Sequence, residues 1–215
     1  MTREQFIKEF QSPLENAVLR KYPNGNVLQW WAENSRLYSE AFNKEGEFNK
    51  YLYGHNGIDL YTFENDLVRA SHDGQIIVVE DDRFHPNGKF VRLQSVIFED
   101  TKTYVITFYG HLKDIYVKPF QNVKKGEPLG TLGNTGFIIS GGTRYWGDAP
   151  ANKGSHLHFS GKELTKIGEP VFKNPMGDTF DPMQFITKGS DTPGYQILLQ
   201  NMASLLRSNL RRLGL

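Results

Sequence analysis

"FVRLQSVIFEDTKTYVITFYGHL" occupies residues 90–112, and its pattern decides the fold. Apolar and polar residues alternate on both sides of "FEDTK" (98–102), which reads as two strands joined by a turn. Working outward, turn-formers recur at "HDG" (72–74), "HPNG" (85–88) and "KKG" (124–126). They delimit strands expected at 58–62, 67–71, 74–80, 89–98, 103–110, 115–118, 128–133 and 156–162, with a first strand in "NVLQWWAEN" (26–34). With 21 glycines and 10 prolines, the chain suits a turn-rich, mainly β fold. "GNTGFIISGGTRYWGDAPANKGS" (133–155) shows no periodicity and is expected to be a long loop.

Helices are expected at the ends. Thr2 and Gln5 fit a capping box, with Phe6, Ile7 and Phe10 on one face. Ser12, Pro13 and Glu15 signal a second helix to about Lys21. The tail 191–215 carries Leu198, Leu199, Met202, Leu205, Leu206, Leu210 and Leu213 on a helical stripe, a surface for docking on the domain or on a protein partner. The expected division is a helical appendage at 1–22, one domain at 23–190 and an amphipathic helix at 191–215.

Composition removes several function classes. Lys+Arg of 25 against Asp+Glu of 24 argues against a nucleic-acid partner held by bulk charge. No cysteine is present, so a metal would be held by His and carboxylates. No apolar run reaches the 18 residues of a membrane span, and "MTREQFIKEFQSPLE" does not read as a secretory signal.

The six histidines then draw attention. In "SHLHF" (155–159), His156 and His158 share one face of a strand, roughly 6.5–7 Å apart along the chain, so one can ligate a metal while the other stands beside it. In "GHNGIDL" (54–60), His55 and Asp59 meet one ion only if the chain turns between them, and Asn56-Gly57 is a turn pair. Two imidazoles, one carboxylate and a water form a recognised set for catalytic zinc. No HExxH occurs, so the remaining histidines, from "YGHL" and "HLH", are candidates to handle the proton. His72 and His85 lie in turns and are expected at the surface.

These residues, with "ASHDGQIIVV" (70–79), "YGHL" (109–112) and "VKKGEPLGTLGNTG" (123–136), make the chain resemble the lysostaphin/LytM-type zinc metalloendopeptidases, murein hydrolases of bacterial cell walls. The resemblance covers about 54–160 and implies a small antiparallel β-sheet metallopeptidase fold with a substrate groove. It implies one Zn²⁺ on His55, Asp59 and His158, with His111 and His156 as the unligated catalytic pair. The implied substrate is peptidoglycan peptide, with glycyl or D-alanyl bonds as targets, and the implied location is the cell envelope, the exterior or a phage particle. The 137–154 insertion is longer than the family's usual loop and should wall the groove; Tyr109, Tyr145 and Trp146 are expected to touch substrate. Ser160 stands where many members carry Glu. Two rival readings stand beside it: a catalytically inactive peptidoglycan-binding or regulatory module of the same fold, disfavoured because all five polar positions are present, and a lytic component of a phage particle, which is compatible with hydrolysis.

Overall fold

A computed structural model describes residues 1–19, 30–33, 54–62, 66–151, 153–174 and 176–186. Among them, eleven strands and two short helices follow in order: α1 (Arg3–Glu9), β1 (Val18–Leu19), β2 (Ile58–Tyr61), β3 (Leu67–Arg69), β4 (Gly74–Glu80), β5 (Lys89–Gln94), β6 (Thr103–Leu112), β7 (Asn122–Val123), β8 (Pro128–Thr131), β9 (Phe137–Ser140), β10 (Thr143–Trp146), β11 (Leu157–Thr165) and α2 (Met183–Ile186). Seven strands form one antiparallel sheet in the order β1-β2-β11-β6-β5-β4-β7, and β3–β8 and β9–β10 form two small ribbons.

Alternation sorts the two faces of the large sheet. Val91 and Leu93 of β5, Val105, Thr107 and Tyr109 of β6, and Leu157 and Phe159 of β11 are buried on the back. Arg92, Phe108, His158 and Lys162, each half-buried or exposed, lie on the front. Both helices cover the back. Phe6 and Phe10 of α1 pack on Phe98, Phe159 and Phe185 with ring centroids 4.9–6.3 Å apart. Thr2 and Gln5 close the predicted capping box, and Arg3 forks onto the buried Glu163 carboxylate at 2.8 Å through both Nε and a terminal nitrogen. The N-terminal helix therefore shares the sheet's core.

Several expectations are corrected. Of the helix expected from Ser12 to about Lys21, the described residues 12–19 form none: the Ser12 hydroxyl turns back on Leu14, and Asn16 sits at φ 50°. Val18 and Leu19 instead pair with Tyr61 and Leu60 at the sheet edge, which buries Leu19. Of the expected first strand, the described residues 30–33 form a turn. Of 115–118, only Ile115 makes a bridge, to Gly130. The 137–154 "loop" contains the β9–β10 hairpin, closed by Gly141 and Gly142 at φ 58° and 81°. A two-residue turn of this kind needs positive φ at both positions, and Gly-Gly supplies it. The tail helix lies outside the described residues.

Candidate active site

β11 is the axis of the site. His158 is the cross-strand partner of Asp59 on one side and of Gly110 on the other, so all three stand on the front face at one level. His55 arrives from the turn before β2. At Gly57 a Cβ would lie 2.6 Å from the Phe159 carbonyl oxygen and 2.8 Å from His158 Nε2, so only glycine lets the turn close on the site. His55 is tied to the turn at 30–33: its N–H donates to the Glu33 carbonyl at 2.9 Å, its carbonyl accepts from Ala32, and Nδ1 faces the Trp30 carbonyl at 3.2 Å.

His111 reaches the site through a β-bulge. Across β5 and β6, Lys89 pairs with Leu112 and Val91 with Tyr109, leaving two residues of β6 opposite one of β5. His111 takes φ 60° and its N–H donates to the Asn87 carbonyl at 3.1 Å. The extra residue turns His111 away from the face of Tyr109 and towards His158, which is what bulges beside active sites do. Tyr109 thereby stays behind in the core. It is fully buried, its hydroxyl accepting from Ser71 N–H and bonded to Thr107, so the expected substrate contact at Tyr109 is corrected.

Three atoms form a closed triangle: His55 Nε2 to His158 Nδ1 2.9 Å, His158 Nδ1 to Asp59 Oδ1 3.2 Å, and His55 Nε2 to Asp59 Oδ1 3.4 Å. Lone pairs packed this closely repel unless a proton or a cation lies among them. Tetrahedral Zn–N/O bonds of 2.0–2.1 Å would set donor atoms about 3.3 Å apart, so the donor set fits zinc. His111 and His156 flank it, with rings 4.7 Å apart and His156 Nε2 3.5 Å from Asp59 Oδ2. Their Nδ1 atoms face carbonyls, His111 that of Thr135 at 2.7 Å and His156 that of Gly154 at 2.6 Å. Each is thus Nδ1-protonated, with Nε2 left as the basic nitrogen.

Burial would raise the Asp59 pKa, but the charges of His156 and His55 and bonds from His158 and His55 hold it well below the usual carboxylate range. Burial pushes His158 down. It opposes but does not overcome the Asp59 charge at His55, whose pKa rises. Burial, helped by the charges of His156 and His158, pushes His111 down to about 3.

"GNT" (133–135) positions both flanking histidines, a role sequence reasoning missed. The Gly133 carbonyl accepts the His156 N–H at 3.0 Å, and the Thr135 carbonyl holds His111. The Thr135 hydroxyl bridges Lys89 N–H and the Leu112 carbonyl across the bulge. The Asn134 amide donates to the Pro150 and Lys153 carbonyls, fixing the approach to His156. Tyr145 and Trp146 lie on β10. Trp146 is 40% exposed, packs at a tilt against Phe137 and donates from Nε1 to the Phe84 carbonyl at 3.0 Å.

The other two histidines stand apart. His72 is buried, correcting the surface expectation, because its turn is roofed by Phe6 and Phe10, 5.0 and 5.7 Å away. His85 is half-buried against Phe90.

Residues 53–171 match peptidase family M23, and the chain belongs to that family. It is 28% identical over 187 residues to peptidoglycan DD-endopeptidase ShyB of Vibrio cholerae, covering 74% of this chain and 38% of that protein. It is 32% identical over 123 residues to peptidoglycan DD-endopeptidase ShyA of the same organism, covering 57% of this chain and 23% of that one. The chain thus spans well under half the length of either relative. Among solved structures, the antimicrobial peptidase lysostaphin of Staphylococcus simulans shares the fold, with a TM-score of 0.51 at 19% identity over 86% of this chain and 57% of that one.

Proposed function

We propose that this chain is a zinc-dependent endopeptidase that hydrolyses a peptide bond in peptidoglycan stem or cross-bridge peptides, acting in the cell envelope. The convergence of His55, Asp59 and His158, with two further histidines presenting Nε2 beside them, carries this reading. Its support from relatives is the family and the two Vibrio DD-endopeptidases.

In this reading His55, Asp59 and His158 would hold one Zn²⁺, which would supply a water of lowered pKa and an electrophile for the scissile carbonyl. His111 and His156 manage protons. Nε2 of one takes a proton from the attacking water, and the resulting imidazolium donates to the developing oxyanion and then to the leaving amine. One water is consumed, the C–N bond breaks, and a carboxylate and an amine are released. The Thr135 and Gly154 carbonyls keep both rings in the required tautomer. Tyr145 and Trp146 on β10 supply a groove wall. The test is digestion of purified murein with and without a chelator, followed by mass spectrometry. Peptide fragments with new amino termini, lost on chelation and restored by zinc, are expected; glycan cleavage or chelator-resistant release would contradict the proposal.

A further inference from the structure

The front face continues past the histidines. Ser160 and Lys162 follow His158 on β11, and Phe108 of β6 pairs with Ser160 on one side and with Arg92 of β5 on the other. The Phe108 ring stands edge-on to His158 at 5.8 Å, and the Arg92 guanidinium lies over the same ring at 5.9 Å and over Phe90 at 5.5 Å. One aromatic ring thus separates Arg92 from a candidate metal ligand.

Arg92 differs from every other described arginine. Arg3 forks onto Glu163, Arg69 donates to the Gly126 carbonyl, Arg83 to that of Gly147, and Arg144 also has a partner. Among the described residues Arg92 makes only its two ring contacts, its guanidinium donors have no hydrogen-bond acceptor there, and its side chain is exposed. Lys162 is exposed on the same face and makes no ion pair among the described residues; the opposing charge that acts on it is Asp178, whose Oδ1 already accepts the Asn174 N–H. Burial lowers the pKa of both cations; at Lys162 the Asp178 charge opposes the fall and the Arg92 charge adds to it. Arg92 and Lys162 thus stand two strands apart on one face, offset by two residues; two like charges so placed are stabilised by an anion, and the planar fork of Arg suits a carboxylate.

We propose that Arg92 and Lys162 form a subsite for a carboxylate on the substrate peptide, on the floor of the groove and about three extended residues, at roughly 3.3 Å each, from the bond that is cut. The assignment rests on the reading of this face as a peptidase groove. It names the substrate class more closely: stem peptides with a free carboxylate are preferred over their amidated counterparts.

Binding rather than turnover separates the two readings. The full chain carrying His111→Ala, which blocks cleavage, is titrated calorimetrically with a cross-linked muropeptide dimer whose carboxylates are free, and with the same dimer amidated. The free form should bind roughly tenfold more tightly or better. Adding Arg92→Gln and Lys162→Gln should abolish that difference while leaving affinity for the amidated form unchanged. Arg92→Lys with Lys162→Arg should keep most of it. Equal binding of the two dimers to the parent overturns the subsite even if the double variant proves unstable. So does a preference that persists in a folded double variant. A carboxylate preference without murein digestion by the wild-type chain would leave the subsite standing and remove the hydrolytic reading.

Discussion

His111 and His72 lie on opposite sides of one sheet, and burial depresses both, to about 3 and about 4. Their surroundings differ. His72 has both nitrogens bonded, Nδ1 to the Asp73 carbonyl at 2.8 Å and Nε2 to the Thr107 hydroxyl at 3.0 Å, between aromatic rings. Among the described residues His111 is bonded at Nδ1 alone, and its ring faces two more histidines and, beyond them, Asp59. Burial is therefore no guide to role. A buried imidazole with both nitrogens satisfied holds the core together, whereas one with a nitrogen left over among other polar groups is available for chemistry.

Substitutions on the two sides should sharpen that contrast. The largest effect is expected on the front: His111→Ala should lower turnover on murein peptides by roughly 10²–10⁴-fold, the usual contribution of a general acid–base group, with thermal stability close to wild type. Phe10→Ala on the back should cost about 3–5 kcal/mol of stability by opening a cavity under α1, read by denaturant unfolding, while the folded fraction keeps its activity per molecule.

His72 sets a pH response of defined sign. Its folded pKa of about 4 lies below the ordinary 6.5, so the unfolded chain binds the proton more readily. The His72 contribution is full above pH 6.5, falls as pH drops, and levels off near pH 4, for a loss of about 3 kcal/mol on top of that from the site histidines. Unfolding with chelator present, so that metal release does not contribute, should show this fall in wild type and a shallower one in His72→Gln. The smallest effect is expected at Thr135, whose hydroxyl clips the bulge. Thr135→Val should reduce kcat about tenfold with KM little changed, and Thr135→Ser should restore it; equal kcat for both variants would remove the positioning role.

Much of this was legible in the sequence because it is local. Alternation in 90–112 predicted β5 and β6, and Asn56-Gly57 predicted the turn that brings His55 back to Asp59. What escaped depended on pairing. The bulge that separates Tyr109 from His111 is invisible until β5 lies beside β6. His72 read as a surface turn because its cover comes from α1, about 60 residues earlier. Val18-Leu19 followed a helix start signal but joined the sheet because Leu60 and Tyr61 were there to receive them. The β9–β10 hairpin is the exception: "SGGT" (140–143) carried the signal for a two-residue turn, and the glycine-rich surroundings hid it.

The division between ligands and flanking histidines is tested most directly by metal content. Wild type, His158→Ala and His111→Ala, each purified, equilibrated with zinc and desalted, are assayed by mass spectrometry of the metal. One zinc per chain is expected in wild type and in His111→Ala, and none in His158→Ala. Zinc retained by His158→Ala, or lost from a folded His111→Ala, would contradict the assignment.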